Sequence, residues 1–233
     1  MRNKDIPLSH LQRQMLLGSL LGDACVWRAK PTFNSYIKID HSVKQKEYVW
    51  WKYEMLKNIV SAPPRECNTS GNSFGGNFRA CRFATRSLPC ITELHELVGK
   101  KKEITQRWLD EITHPIALAT WLMDDGCCWK NSPNGYCIKF CTGNRTLQEL
   151  EILQAWMMKW LDSDRVGIYI PTKFPNKTEL KICNDKTVRT FEDFVRPYII
   201  PSMVYKLPPD GREECINRDQ RGNVNYNKYR ITS

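Results

Sequence analysis

Two aspartates sit in matching surroundings 102 residues apart. Asp23 falls near the end of residues 16–24, LLGSLLGDA, and Asp125 near the end of residues 118–126, LATWLMDDG. Both stretches are apolar with small residues inside, and both close on an acidic residue followed by a tiny one. In register, Gly18 meets Thr120, Gly22 meets Asp124, Asp23 meets Asp125 and Ala24 meets Gly126. An offset near half of the 233-residue chain implies an internal duplication. A lone copy reads most simply as a core helix with a solvated terminal Asp. A pair reads differently. Each Asp lies at the negative end of its helix dipole, at a cost of a few tenths to about 1 kcal/mol, and two such ends side by side add like-charge repulsion. A divalent cation compensates both terms. Mg2+ takes oxygen ligands and shares phosphate oxygens with its substrate, so paired carboxylates of this kind suit metal-assisted phosphodiester hydrolysis.

The elements that must position them follow from the same stretches. A helix apolar on every side belongs in a core, and these runs fall short of the roughly 20 residues a membrane span needs. Gly18 and Gly22 share one helix face and would let a second helix approach closely. The two runs are therefore expected to pack against each other about a pseudo-twofold axis. No apolar run follows the opening MRNKDIPLSH, which predicts an intracellular chain with neither signal peptide nor membrane anchor. The ten cysteines show no CxxC pairing, and the four histidines do not fall beside them in a zinc-site pattern, so reduced thiols are expected.

Along the chain, Ser9 caps the first helix, and strand-like alternation follows over 25–42. Residues 43–60 read as a helix with Val49, Trp50, Tyr53, Leu56, Ile59 and Val60 on its apolar side. A second hairpin spans 65–86 with a glycine-rich turn at 71–76, and a short helix covers 90–98. The second half repeats this order. Helix 114–125 is followed by a hairpin turning at Asn134-Gly135. A helix over 146–161 carries a Thr146/Glu149 capping box and an apolar face of Leu147, Leu150, Leu153, Met157 and Leu161. A hairpin over 165–183 turns at Pro175-Asn176, and a last helix covers 186–196. The fold class is α+β, two αββαββα halves at 8–99 and 113–208, with a basic linker over 100–112 and an unassigned tail over 209–233. The chain carries a net +10. The hairpin segments 25–42, 65–86, 129–145 and 165–181 hold fourteen Lys and Arg against Asp40, Glu66 and Glu179, which is all of that excess. A polyanion partner explains the placement.

The two motifs resemble the paired motifs of LAGLIDADG homing endonucleases, in the intron-encoded, single-chain class. "HPIALATWLMDDGCCW" at 114–129, "SAPPRE" at 61–66 and "RPYIIPSMVYKLP" at 196–208 extend the likeness in chain order, from about Leu8 to Pro208. The resemblance implies two antiparallel sheets forming a saddle over a DNA major groove, with the motif helices meeting at its centre. It implies a monomeric, site-specific double-strand DNA endonuclease that uses Mg2+, with Mn2+ able to substitute, and promotes intron mobility. Asp23 and Asp125 are then the catalytic metal ligands, joined by the carbonyls of Gly22 and Asp124. The resemblance also makes Lys206 in "YKLP" and Lys102 the supporting catalytic lysines, with Lys100 and Lys101 as neighbours that could take the place of Lys102; the spacing agrees, since Asp23 to Lys102 is 79 residues and Asp125 to Lys206 is 81. Arg28, Lys30, Asn34, Ser35, Lys38, Asp40, Arg79, Arg82 and Arg86 from the first half are candidates to face DNA. Lys130, Lys139, Thr142, Lys173 and Lys181 are those from the second, since Arg and Lys suit guanine edges and Asn suits adenine. On strand 78–86, Cys81 and Phe83 read as core, which turns Arg82 and Arg86 outward. Two other readings use the same fold: an intron RNA maturase with host intron RNA as partner, and a DNA-binding regulator with a dead site. Organelle and cytoplasm stay open as compartments.

Overall fold

The computed structural model describes residues 6–69, 78–132, 135–143 and 145–209. The turns expected at 71–76 and at Asn134, and the tail from 210, lie outside them. The first half runs α1 (His10–Leu21), β1 (Cys25–Trp27), β2 (Tyr36–Ser42), α2 (Lys46–Leu56), β3 (Arg65–Thr69), β4 (Phe78–Ala84) and α3 (Pro89–Val98). After α4 (Gln106–Asp110), the second half runs α5 (Pro115–Asp125), β5 (Gly126–Lys130), β6 (Tyr136–Gly143), α6 (Leu147–Leu161), β7 (Val166–Tyr169), β8 (Thr178–Ile182) and α7 (Asp185–Val195). Each half therefore repeats the expected order.

The centre is the contact of α1 with α5. Ser9 accepts from the Gln12 amide while the Gln12 side chain accepts from the Ser9 amide, a capping box that fixes where α1 begins. Pro115 opens α5, where its missing N–H costs nothing, and His114 caps the Ile116 amide. A Cβ on Gly18 would lie 2.1 Å from the carbonyl oxygen of Ala117, and one on Gly22 would lie 2.5 Å from Cβ of Asp124. Glycine at these two positions is thus what lets the backbones touch. Gln14 adds a polar tie across the join. Its amide donates to the carbonyl of Glu111 (2.8 Å), and its oxygen accepts from the Thr113 amide (2.8 Å).

The strands form two antiparallel four-stranded sheets, ordered β1-β2-β4-β3 and β5-β6-β8-β7. Alternation sorts their faces. Ile37, Ile39, His41, Cys81 and Phe83 are buried under the first sheet, and Ile138, Phe140, Leu180 and Ile182 under the second. The helices cover these faces and merge with α1 and α5 into one core.

Four local readings change. In α2, Trp50 is partly exposed (42%) and Lys52 is fully buried, because Lys52 has a carboxylate to meet inside. Leu147 is exposed at the first turn of α6, ahead of the part of that helix that packs. Segment 100–112 contains α4, whose Trp108 and Leu109 are buried and whose cap is Thr105. Cys137 and Cys183 are joined by a disulfide rather than reduced, since the pairing of Ile138 with Ile182 sets them opposite each other.

Candidate metal centre and nucleic-acid interface

Asp125 is the last residue of α5 and is half-buried, whereas Asp23 lies just past the end of α1 with its side chain 45% exposed. Burial, and then the charges of Asp23 and Asp124, push the Asp125 carboxyl up to about 7. Loss of water around the carboxyl is the larger cause of that rise, and the neighbouring carboxylates add to it against Lys102 and Lys206. A cleft of about 280 Å3 reaches this point, lined by Gly22, Lys102, Asp125 and Arg145 among others.

The lysines expected at the site arrive there. Lys102 Nζ donates to the carbonyl oxygens of Gly22 (2.7 Å) and Ala24 (3.1 Å). Lys206 Nζ donates to those of Gly126 (2.7 Å) and Asp124 (3.3 Å). In each half the ammonium bridges the two carbonyls that flank the aspartate. The routes differ. Lys102 lies in a turn at φ +54°, with Arg145 donating to its carbonyl. Lys206 ends the 3-10 turn Pro201–Lys206 and is buried. Burial, ahead of every charge nearby, lowers both ammonium pKa values. The carbonyls of Gly22 and Asp124, expected as metal ligands, each keep a second lone pair.

A buried cluster that the motifs did not announce lies behind the pair. The Asp124 side chain is wholly enclosed, and its Oδ1 accepts from Lys52 Nζ (2.7 Å) and from the Tyr48 hydroxyl (2.8 Å). Lys52 Nζ also meets His41 Nε2 at 3.2 Å and sits 4.3 Å over the Tyr48 ring. The other ring nitrogen of His41, Nδ1, stands 3.4 Å from Oδ2 of Asp23. Burial and then Lys52 lower His41 to about 3, so it is neutral. Burial and Asp124 raise the Tyr48 hydroxyl well above its ordinary range. Asp124 Oδ2 is buried with no hydrogen-bond partner. Ligand atoms of Asp23, His41 and Asp124 lie within 4.8 Å of one another. Hard oxygen donors with surplus negative charge fit a divalent cation. Lys52 already neutralises Asp124 directly, and Asp125 is not among the three residues of that group. One signal for this cluster was present in the sequence. Tyr48, Lys52, Leu56 and Val60 form a four-residue series in which a single lysine interrupts an apolar stripe.

The outer sheet faces carry the expected charges. Asp40 and Arg82 are paired across β2 and β4, and the Asp40 carboxylate meets both Lys38 (3.1 Å) and Arg82 (3.3 Å). In the second sheet, Glu179 meets Lys139 (2.5 Å) and Lys181 (3.1 Å) in the same way. Each sheet thus presents one carboxylate clasped by two cations. Trp27 and Trp129 stand in β1 and β5 at the motif offset, with Cys25 matching Cys127 and Arg28 matching Lys130. Lys139 and Lys181 lie near the Trp129 ring, and Lys181 is 3.5 Å over that of Tyr169.

Arg86 and Lys130 are exposed at strand ends, and Lys30 and Lys173 are exposed in loops beside Phe33 and Phe174. Arg79 is exposed and ion-paired with Glu66. Arg28 bonds the Phe33 carbonyl and meets Glu96, and Asn34 accepts from Thr92. Two residues do not reach the outer face. Ser35 is fully buried, its hydroxyl 2.8 Å from His95 Nδ1, because the β2 entry is stitched onto α3. Thr142 turns to Thr178 (2.8 Å) at a register shift in β6.

Set beside known proteins, this geometry has company. The profile described as the LAGLIDADG DNA endonuclease family matches residues 13–163. A cytochrome b mRNA maturase bI2 of Debaryomyces hansenii is 27% identical over 88% of this chain and 76% of its own. A probable intron-encoded endonuclease 1 of Wickerhamomyces canadensis is 26% identical over 86% of this chain and 85% of its own. A RecA protein of Mycolicibacterium flavescens is 30% identical over 87% of this chain, which spans about half of that relative (47%). Among solved structures, the homing endonuclease I-WcaI bound to its DNA recognition sequence has a TM-score of 0.77 at 23% identity, covering 88% of this chain and 89% of its own. That likeness is one of fold.

Proposed function

The chain belongs to the LAGLIDADG DNA endonuclease family and is a DNA endonuclease of the homing type, and from that premise we propose how its own residues do the work. Double-stranded DNA lies across the two outer sheet faces. Arg82, Lys38, Lys139 and Lys181 meet it there, some at base edges and some at phosphates. The contacts to phosphate make affinity fall steeply with salt, by about 0.9 in log–log slope per phosphate neutralised. One chain supplies both halves, so the complex is a protein monomer on one site.

Asp23 and Asp125 would hold the divalent cation, Mg2+ first and Mn2+ in its place, and the Gly22 and Asp124 carbonyls would add ligands. Bound there, the cation supplies charge at the scissile phosphate and lowers the pKa of water. Lys102 and Lys206 fix the backbone on either side of each aspartate and stand ready to stabilise charge developing on the phosphate. The single observation that carries this reading is the repeated arrangement of one aspartate between two carbonyls bridged by one lysine.

The test uses a duplex recovered by cleavage from a randomised library. Chelator should stop cleavage, Mg2+ or Mn2+ should restore it, and sedimentation should give one protein per duplex. Cleavage that persists in chelator removes the mechanism, and two proteins per site removes the monomer. The maturase relative favours one further role, assistance to splicing of a host intron RNA. A splicing assay on RNA transcribed from the gene's own locus tests it independently.

A further inference from the structure

The two aspartates are not supported alike. Resting on the reading of Asp23 and Asp125 as the metal-holding pair, we propose that His41, Lys52 and Tyr48 form a positioning relay behind Asp23 that has no counterpart at Asp125. The two DNA strands are then hydrolysed by inequivalent sites.

The relay begins at Asp124, whose counterpart in the first motif is Gly22 and has no side chain. Its enclosed carboxylate takes Lys52 (2.7 Å) and Tyr48 (2.8 Å), both from α2 of the other half. Lys52 has only protons to offer, so toward it His41 Nε2 at 3.2 Å acts as an acceptor. The ring proton is then on Nδ1, which faces Oδ2 of Asp23 at 3.4 Å. Lys52 thereby sets the tautomer of His41, and His41 presents a donor to Asp23. Tyr48 and Lys52 lie at 0% exposure and His41 at 6%, so packing holds all three in place.

The matching positions of the second half do something else. Lys38 and Lys139 set the offset between β2 and β6, and it carries His41, Tyr48 and Lys52 onto Thr142, Glu149 and Leu153. Thr142 bonds Thr178, Glu149 caps α6 and accepts from the Ile104 amide, and Leu153 is buried in the core. Among the described residues none of the three hydrogen-bonds Asp125, although Thr142 and Leu153 line the cleft beside it.

The test is single-turnover cleavage in Mg2+ of the library-derived duplex, end-labelled on each strand in turn, with affinity measured separately in Ca2+. His41→Gln places its amide near the Nε2 position and leaves nothing at Nδ1. His41→Asn places its amide near Nδ1. Expected for His41→Gln is one strand slowed at least about tenfold more than the other, with affinity held within about threefold. Expected for His41→Asn is both strand rates within about threefold of the parent. Tyr48→Phe, a milder change, should slow the same strand as His41→Gln. Equal slowing of both strands by His41→Gln, or no slowing, overturns the relay and leaves the endonuclease standing. An unaltered protein that cuts neither strand overturns the endonuclease reading and the relay with it.

Discussion

The first and second halves build the same terminus from different parts. In both, an ammonium bridges the carbonyls on either side of an aspartate. In the first half that ammonium comes from a residue in left-handed backbone at φ +54°, and in the second from the end of a 3-10 turn. The chemistry dictates where the charge must end and leaves open how the chain brings it there. The residue just before each aspartate differs more deeply. Gly22 lets α5 approach, whereas Asp124 inserts a carboxylate that the first half must neutralise with a buried lysine. A pseudo-symmetric frame therefore holds an asymmetric centre.

The largest break in this comparison is expected at Lys52. Lys52→Met leaves Asp124 enclosed and unpaired, at a cost of about 3–5 kcal/mol in urea unfolding. Its positional counterpart, Leu153→Met, should cost less than about 1.5 kcal/mol. Similar losses for the two would show that the buried pair is not what separates the halves.

Removing one lysine bridge comes next. Lys102→Ala and Lys206→Ala should each slow cleavage by about 10²–10³, which is about 2.7–4 kcal/mol, as for loss of a donor aimed at developing charge. Affinity for the duplex in Ca2+ should change by less than about tenfold. A rate that survives in one variant and collapses in the other would mean that the two bridges are alike in shape only.

The helix contact offers a smaller contrast. Gly18→Ala drives a methyl group into the Ala117 carbonyl and should cost about 1–3 kcal/mol, measured by chemical unfolding. Its counterpart Thr120→Ala loses one hydrogen bond, to the Ile116 carbonyl (2.7 Å), and should cost about 1 kcal/mol. If Thr120→Ala proves the more damaging, close approach at Gly18 is not what joins the halves.

The sheets give the finest comparison. Arg82→Ala should relax preference at one base pair, at the low end of about 1–3 kcal/mol, because Asp40 already shares its guanidinium. Lys181→Ala should weaken all sequences alike and lower the salt slope by about one. A profile of every single-base variant of the duplex checks both, and identical profiles for the two variants would erase the distinction.

Much of this was legible in the sequence, for a physical reason. The motif helices, the capping residues Ser9 and Thr146, and the hairpins are set by local pattern, and duplication let each half check the other. The lysines at 102 and 206 were legible through the family resemblance, with the near-equal spacing from each aspartate as a check, since neither local backbone repeats. Ser35 was not legible as a buried residue, because its burial comes from the distant His95 and Thr92 of α3. Lys52 and His41 were missed because a charged side chain in an enclosed place makes sense only once its partner, 72 residues from Lys52, is seen beside it. The Cys137–Cys183 bridge was hidden likewise, in a register between strands 46 residues apart.

The most direct measurement is strand cleavage and duplex binding for Asp23→Asn and Asp125→Asn, made side by side in Mg2+ and Ca2+. Each substitution keeps the shape and removes one charge from the metal-holding pair. The expected result is loss of cleavage by more than about 10³ for each variant with binding kept within about tenfold. Cleavage by Asp125→Asn at close to the parent rate in Mg2+ would contradict the assignment of that pair.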